Sequence, residues 1–263
     1  MGHHKQPVLF LGHGSPMNAI ANNSFTQRLN KLGGELARPR AILVISAHWL
    51  TSGTYVTSAE KPRMIYDMQG FPEPLYQVKY PAAGDPELAA QIQQLIPGVQ
   101  SDQALAQPWG LDHGTWSVLV HLFPKAEIPV LQLSIDHRQP ALHHFELGRK
   151  LTVLRDQGVL IIGSGNIVHN LRNITWSPNA VPFPWAVEFT TWYEEHLLRN
   201  ERSVLLDDFR SSEIGRMSVP TTEHYFPSIY ILGAAEDSES PKIEYSEIQN
   251  GSISMTSFSF GRP

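Results

Sequence analysis

The 263-residue sequence contains no cysteine. This absence excludes disulfide bonds, thiolate metal sites and a cysteine nucleophile, so any bound metal must have nitrogen or oxygen ligands. The sequence also lacks the run of about 18 apolar residues that a transmembrane helix needs. Its first residues lead into an apolar strand without the apolar core of a signal peptide. We therefore expect a cytoplasmic protein that does not enter a membrane.

A surplus of positive charge is missing as well. The chain has 20 Lys and Arg residues against 25 Asp and Glu residues, which gives a formal net charge of −5. A nucleic-acid partner requires basic residues that neutralise phosphates, and binding to an anionic membrane surface requires a similar surplus. We expect neither kind of partner.

Two common catalytic motifs are absent in their complete form. The segment Gly12-His13-Gly14-Ser15 departs from the dinucleotide-binding Gly-x-Gly-x-x-Gly pattern, because Met17 occupies the position of the third glycine. The segment Gly163-Ser164-Gly165 is one residue out of register for the Gly-x-Ser-x-Gly nucleophile turn of α/β-hydrolases. These departures disfavour nucleotide binding and a catalytic serine.

Alternating apolar runs and helical patterns predict an α/β fold. The hydrophobic content of 41% is sufficient for a large core, and we expect a single catalytic domain over residues 1–263. The pattern predicts a central, mostly parallel mixed sheet flanked by helices. The predicted strands lie at about 8–12, 40–47, 128–135 and 159–163, and the predicted helices at about 24–37, 86–96, 140–157, 185–198 and 221–234.

The C-terminal segment has a different pattern. Asn250-Gly251 is a strong hairpin-turn signal between strand-like segments 242–248 and 252–260, so we expect an antiparallel hairpin there. The apolar alternation of the second segment shifts between Met255 and Phe258, which predicts a β-bulge.

Two of the apolar runs lead directly into a histidine. Val8–Gly12 precedes His13, and Ile42–Ala47 precedes His48. Ligands of open α/β sheets bind at the carboxyl ends of the strands, so both imidazoles are candidates for a site. Imidazole is the commonest metal ligand, and three imidazoles suit zinc or non-haem iron, although a hydrogen-bonded structural role stays open for each. Three further histidines stand out by their sequence context: His113, His169 and His224.

The remaining histidines have simpler interpretations. His143 and His144 are neighbours on a predicted helix and point apart, so we expect them on a solvated helix face. His196 is expected at the surface, and His121 in the core with one nitrogen hydrogen-bonded. His137 is a weak candidate for the pocket. Long connections rich in proline and aromatic residues, at 62–81, 107–116 and 176–185, are expected to form pocket walls.

Five segments of the chain each contain one of the five candidate histidines. In order they are Leu11-Gly12-His13-Gly14-Ser15-Pro16-Met17, Ser46-Ala47-His48-Trp49, Trp109-Gly110-Leu111-Asp112-His113-Gly114-Thr115-Trp116, Gly163-Ser164-Gly165-Asn166-Ile167-Val168-His169-Asn170 and Thr222-Glu223-His224-Tyr225. Together they resemble the class III extradiol ring-cleavage dioxygenases of the LigB type, in particular their small 4,5-DOPA extradiol dioxygenase-like branch. The similarity spans essentially the full length of the chain.

The resemblance implies a role for each of these histidines. By similarity, His13, His48 and His224 are metal ligands, and His169 is either catalytic or completes the coordination. His113 is expected to contact substrate. The wider class uses two histidines and one carboxylate, whereas this chain has a histidine at the third position. We expect one divalent metal ion. Because three imidazoles suit both metals, this ion is expected to be either Zn²⁺ or Fe²⁺.

The reaction implied by the resemblance is oxygen-dependent opening of an aromatic ring. A catechol such as DOPA and dioxygen react at one metal centre, and the ring opens next to the diol to give a muconate semialdehyde. We expect His169 to perform acid/base chemistry and His113 to steady the substrate or an oxygen-derived anion. Tyr66, Phe71 and Trp109 are candidates for stacking on the ring or for loop packing.

Two alternative functions stay open from the sequence. A zinc-dependent hydrolase would use the metal to lower the pKa of a bound water molecule. A metal- or ligand-binding protein without turnover would need only the same imidazoles. The chain is expected to act as a monomer or a small homo-oligomer.

Overall fold

The computed structural model describes residues 4–177 and 179–262. Within these ranges the strands are β1 (Val8–Gly12), β2 (Ala41–Thr51), β3 (Thr54–Val56), β4 (Val99–Ser101), β5 (Val130–Asp136), β6 (Val159–Gly165), β7 (Lys242–Tyr245), β8 (Ile248–Gln249), β9 (Ile253–Ser254) and β10 (Ser257–Phe260). The α-helices are α1 (Ser24–Glu35), α2 (Glu73–Tyr76), α3 (Pro86–Leu95), α4 (His113–Leu122), α5 (Ala141–Leu151), α6 (Val153–Asp156), α7 (Pro184–Leu198), α8 (Arg202–Asp207), α9 (Glu213–Ser218) and α10 (Phe226–Ala234). Short 3₁₀ helices span Pro16–Ala19, Asp102–Ala104 and Leu171–Asn173.

Eight strands form one mixed sheet in the order β4-β3-β5-β2-β6-β1-β10-β7. The central strands β5, β2, β6 and β1 are parallel to their neighbours within this group, whereas β3 pairs antiparallel with β5 and β10 antiparallel with β1. The predicted α/β fold with a mostly parallel mixed sheet is confirmed. No helix in the described ranges is both long and apolar enough to cross a membrane.

The core lies on both faces of the central strands. Alternate residues of β1 point to opposite faces, so Leu9 packs in a cluster with residues of α1 and α4, whereas Phe10 packs in a second cluster with residues of α5, α7 and α10. Helices therefore cover both faces of the sheet. This explains why its strands are continuous apolar runs rather than alternating ones.

Local sequence signals account for some helix ends but not for others. The Asp85 side chain accepts a hydrogen bond from the Leu88 backbone, with Pro86 at the first helical position of α3, as predicted. The predicted helix over 140–157 divides near Thr152 into α5 and α6, and Gly158 after it has a φ of 79°. The predicted start near residue 221 is wrong for α10, which begins at Phe226 after a turn.

The predicted C-terminal hairpin is confirmed. β7 pairs antiparallel with β10, and β8 pairs with β9 around Asn250 and Gly251, whose φ angles are 55° and 74°. These positive angles are those that a tight hairpin turn requires. The β7–β10 register shifts between Ser257 and Phe258, which confirms the predicted bulge.

The prediction that the second strand stops before His48 is wrong. β2 continues to Thr51, but its pairing with β5 passes from Ile45–Leu133 directly to Leu50–Ile135. Four residues of β2 are therefore displaced from the ladder, and His48 is one of them. Such a bulge redirects side chains away from the regular alternation of a strand.

Aromatic packing accompanies the bulge on β2. Trp49 is 1% exposed and its ring stacks on Trp109 with a centroid distance of 5.8 Å and an angle of 2°. The Ser46 hydroxyl donates to Asp112 Oδ1 at 2.7 Å. These contacts tie the bulge to the start of α4, where His113 lies.

Candidate active site

His13 follows the carboxyl end of β1, and its imidazole tautomer is determined by its neighbours. Its backbone N–H donates to the Gly165 carbonyl at 3.1 Å, and its Nδ1 lies 3.0 Å from Ser164 Oγ. The Ser164 hydroxyl donates its single proton to the Gly114 carbonyl at 2.5 Å. It must therefore accept a hydrogen bond from His13 Nδ1–H, which leaves His13 Nε2 with a free lone pair.

The free nitrogen of His13 faces a second imidazole. His48 Nε2 lies 3.2 Å from His13 Nε2, and His48 Nδ1 lies 3.5 Å from Asp67 Oδ2. A proton on His48 Nδ1 would face this carboxylate and leave both Nε2 lone pairs directed at each other. Two such lone pairs repel unless a proton or a cation lies between them, so this donor set fits a bound metal ion.

His113 lies at the first position of α4, beside the same carboxylate. Its Nδ1 lies 2.9 Å from Asp67 Oδ2, and its backbone N–H donates to Asp67 Oδ1 at 3.0 Å. The Asp112 side chain caps the helix by accepting from the Thr115 backbone. Three ring nitrogens, one each from His13, His48 and His113, lie within 4.8 Å of one another.

His169 and His224 form a second group next to His13 and His48. His169 follows β6, and its ring stacks on that of His224 with a centroid distance of 3.5 Å and an angle of 9°. His224 lies in the turn before α10, with Nδ1 3.4 Å from Glu223 Oε1. Ligand atoms of His169, Glu223 and His224 lie within 4.8 Å of one another.

The structure thus brings all five singled-out histidines to one place. The His224 ring centroid is 5.4 Å from that of His13 and 5.0 Å from that of His48. His113 joins His13 and His48 in the tighter group of nitrogens, however, whereas His224 groups with His169. The ligand set His13, His48 and His224 therefore stays a prediction.

Two glycines permit the close packing behind these imidazoles. A Cβ atom on Gly114 would lie 2.5 Å from Ser46 Oγ and 2.9 Å from His48 Cδ2. A Cβ atom on Gly165 would lie 2.1 Å from the His224 carbonyl oxygen. Both distances are shorter than non-bonded atoms tolerate, so any larger residue would displace a histidine or its backbone.

Burial keeps four of these imidazoles neutral, those of His13, His48, His169 and His224. Burial lowers the pKa of His13 and His224 well below the ordinary value, and the neighbouring histidines lower both further. Burial and then the neighbouring His113 lower the pKa of His48 to about 3, although Asp67 opposes them. Burial lowers the pKa of His169 to about 4, against the opposing effect of Glu223. Neutral imidazole is the form that binds a metal or accepts a proton.

Asp67 is the residue of this site that the sequence analysis missed. Burial acts to raise the pKa of Asp67, but the His113 imidazole outweighs burial and lowers it to about 2. The carboxylate is therefore ionised beside two histidines. The available signal was the pair of acidic residues, Asp67 and Glu73, within the connection 62–81, which was already expected to form a pocket wall.

The five histidines open into a cavity of about 700 Å³. All three long connections that were expected to form its wall contribute side chains, for example Phe71, His113 and Trp176. Of the three aromatic residues considered for stacking on a substrate, Phe71 lines the cavity. Tyr66 instead packs on Trp116, and Trp109 stacks on Trp49, so these two serve loop packing.

The other histidines that the structure describes do not line the cavity. The prediction of a solvated face is wrong for His144, which is fully buried where α5 packs against α10 and has its Nδ1 3.1 Å from the Tyr230 hydroxyl. His121 Nε2 lies 2.8 Å from the Asn18 carbonyl oxygen, which agrees with the prediction that one of its ring nitrogens is hydrogen-bonded. His137 is exposed and does not line the cavity. His196 is partly exposed and pairs with Glu201.

Comparison with known proteins places this arrangement in a family. Residues 4–261 match the family described as the catalytic LigB subunit of aromatic ring-opening dioxygenase. The chain is 46% identical over 263 residues to a 4,5-DOPA dioxygenase extradiol of Escherichia coli K12, with 98% of this chain and 95% of that protein covered. It is 36% identical over 261 residues to a protein of the same name from Beta vulgaris, with 96% of each covered.

A solved structure shows the same fold. The crystal structure of an uncharacterized protein from Escherichia coli K12 superposes with a TM-score of 0.84 and 42% sequence identity, over 97% of this chain and all of the other. The resemblance inferred from the five histidine segments is confirmed, and so is the enzyme class that it implied. The chain belongs to the LigB family, the catalytic subunits of aromatic ring-opening dioxygenases.

Proposed function

We propose that this chain, acting as a single catalytic domain, uses dioxygen to open a catechol ring next to its diol. The observation that carries the proposal is the 3.2 Å approach of His13 Nε2 and His48 Nε2 at the floor of the cavity. The relatives named 4,5-DOPA dioxygenase extradiol support a catechol as the substrate.

The ligands that we propose for one divalent metal ion are His13, His48 and His224. When bound, the metal would bring the two reactants together and stabilise negative charge on the diol. Imidazole ligands suit both Zn²⁺ and Fe²⁺. Because Zn²⁺ has no redox chemistry, oxygen-dependent turnover favours Fe²⁺ at this site.

His169 is the proposed acid/base group of the reaction. Its ring lines the cavity and stacks on His224, so a free imidazole nitrogen can accept a proton from a catechol hydroxyl. The same nitrogen can return the proton to an oxygen of the product. The stacking against His224 also leaves open a role of His169 as an additional ligand.

His113 is the proposed substrate contact, and Asp67 orients it. Asp67 receives the His113 backbone N–H at 3.0 Å and lies 2.9 Å from its ring Nδ1. This pairing at Nδ1 leaves His113 Nε2 for a contact with the substrate. A carboxylate behind an imidazole sets its tautomer and its orientation in this way.

The test is oxygen uptake by protein loaded with a single kind of metal. Metal-free protein is loaded with Fe²⁺ or Zn²⁺ and supplied with catechol or DOPA under air. We expect the iron form to consume one dioxygen per catechol and to form a product whose mass equals catechol plus one dioxygen. Absence of oxygen uptake with every catechol tested, DOPA included, would falsify the proposal.

The same preparations test the alternative functions. A zinc hydrolase would act on an ester or amide without consuming oxygen, and would do so in the zinc form. A binding protein would bind metal and catechol but release the catechol unchanged. Family membership and the cavity lined by histidines favour the dioxygenase over both alternatives.

A further inference from the structure

Away from the histidines, the described part of the cavity wall has no ionisable side chain. Among the described residues, no Asp, Glu, Lys or Arg lines this space of about 700 Å³. Apart from the five histidines, its wall consists of apolar, hydroxyl and amide side chains and one glycine. A single catechol ring fills only a small part of such a volume, which lies in the range typical of sites for larger ligands.

The charged residues beside the histidines do not line the cavity. Asp67 faces His113 and His48, and Glu223 accepts a hydrogen bond from the Thr221 hydroxyl at 2.7 Å. Arg172 is exposed next to Leu171 but does not line the cavity. A charged substituent on the catechol would therefore find no counter-ion on the cavity wall.

Several amides of the wall are already used within the protein. Asn18 Nδ2 donates to the His13 carbonyl at 3.1 Å, and Asn18 Oδ1 accepts from Asn23 at 3.0 Å. Asn250 Nδ2 donates to the Thr175 carbonyl at 2.9 Å. Engaged amides give little compensation to an ionic group that leaves water, and an uncompensated charge is costly to bury.

The mouth of the cavity is apolar and exposed. Ile20, Leu171 and Trp176 all line it, and they are 41%, 56% and 79% exposed. Large apolar side chains that share one exposed opening mark a surface for an apolar ligand. Such a surface stabilises a bound hydrocarbon chain but offers nothing to an ammonium or a carboxylate group.

We propose that the preferred substrate of this site is a catechol with an uncharged, apolar substituent that reaches Leu171 and Trp176 at the mouth. The amino-acid head group of DOPA, the substrate in the names of the relatives, carries a positive and a negative charge at neutral pH. This inference rests on the proposed ring-opening function and concerns the substrate class of the same site.

Four catechols with similar side chains and different charges test the proposal. They are propylcatechol, which is neutral, dopamine, which is cationic, dihydroxyphenylpropionate, which is anionic, and DOPA, which is zwitterionic. We expect kcat/KM for propylcatechol to exceed that for each charged compound by about tenfold or more. Calorimetric titration without oxygen should give the same order of affinities, without depending on turnover.

Variants at the mouth of the cavity test whether its apolar side chains cause the preference for propylcatechol. Leu171→Ala and Trp176→Ala should each reduce the preference for propylcatechol over unsubstituted catechol about threefold or more. Leu142→Ala is the matched control, because Leu142 is 57% exposed on α5 and does not line the cavity. Ile20→Lys introduces the missing cation and should shift the preference towards dihydroxyphenylpropionate.

Equal or higher kcat/KM for any of the charged compounds would overturn the proposal. If the anionic compound were preferred and Arg172→Ala abolished that preference, Arg172 would be the counter-ion, which also overturns it. Both outcomes require ring opening, so they leave the proposed function intact. Failure of the proposed function differs, since no catechol would then consume oxygen.

Discussion

Within the residues that the structure describes, histidine is buried in two regions, and one of them resembles a metal site. At the cavity, His13 and His48 direct nitrogens at each other, and Ser164 and Asp67 lie behind them. Between α5 and α10, His144 is fully buried against Phe226 and Tyr230. Burial lowers the pKa in both regions, so a depressed pKa does not identify a ligand.

What distinguishes the two regions is what surrounds the free Nε2 atom of each histidine. His13 Nδ1 has a hydrogen-bond acceptor that leaves its Nε2 free towards other imidazoles at an open cavity. His144 Nδ1 contacts the Tyr230 hydroxyl, and its Nε2 is buried without a hydrogen-bond partner. A metal site needs several convergent nitrogens and access for a ligand, whereas a core histidine needs only to remain neutral.

The largest expected effect is a difference in metal content between a variant at the cavity and a variant between α5 and α10. His13→Ala should reduce bound metal to a small fraction per chain and oxygen uptake to below detection, because it removes one of three proposed ligands. His144→Gln serves as the control and should retain full metal content. Metal analysis after dialysis checks both variants, and equal metal content in the two would contradict the assignment of His13.

The next effect separates acid/base chemistry from metal binding. His169→Gln should lower kcat for catechol by about 10²- to 10⁴-fold, because a general acid/base contributes about that factor. Its metal content should match that of the unaltered protein. Loss of metal together with activity would instead assign His169 as a ligand.

A smaller effect is expected from the group that orients His13. Ser164→Ala removes the acceptor of His13 Nδ1–H and should lower metal affinity by about 10- to 100-fold, as removal of outer-sphere partners generally does. Ser117→Ala is the matched control, since Ser117 Oγ is buried without a hydrogen-bond partner. Competition with a chelator measures both affinities, and equal values in the two variants would show that Ser164 does not orient the ligand.

The smallest effect concerns the histidine in the core. Burial lowers the pKa of His144 to about 4 from an ordinary value of 6.5. Between these pH values the unfolded chain binds a proton that the folded chain does not, so stability falls as the pH is lowered. On acidification from pH 7 to pH 5, this group should lower the free energy of unfolding by about 2 kcal/mol.

The variant His144→Gln should lack this part of the acid dependence. Urea unfolding of the variant and of the unaltered protein at pH 7 and pH 5 gives the difference directly. Glutamine does not titrate in this range. The variant should therefore lose about 2 kcal/mol less stability on acidification than the unaltered protein. The same pH dependence in both proteins would show that His144 does not become protonated on unfolding.

Elements formed by neighbouring residues were predictable from the sequence. Asp85 and Pro86 indicated the start of α3, and Asn250-Gly251 indicated the C-terminal hairpin, because each is a local backbone preference. The bulge that displaces His48 was not predictable, since it depends on where β2 resumes pairing with β5. The burial of His144 also depends on a distant partner, α10.

The sequence by itself determined the α/β alternation and the five histidine segments, through periodicity and through a resemblance that comparison confirmed. The tertiary structure decided which nitrogens are free, because Ser164 on β6 and Asp67 in a connecting segment set the tautomers of imidazoles far away in the chain. It also decided that, among the described residues, no Asp, Glu, Lys or Arg lines the cavity. Contacts between distant segments create both properties, and no local pattern records them.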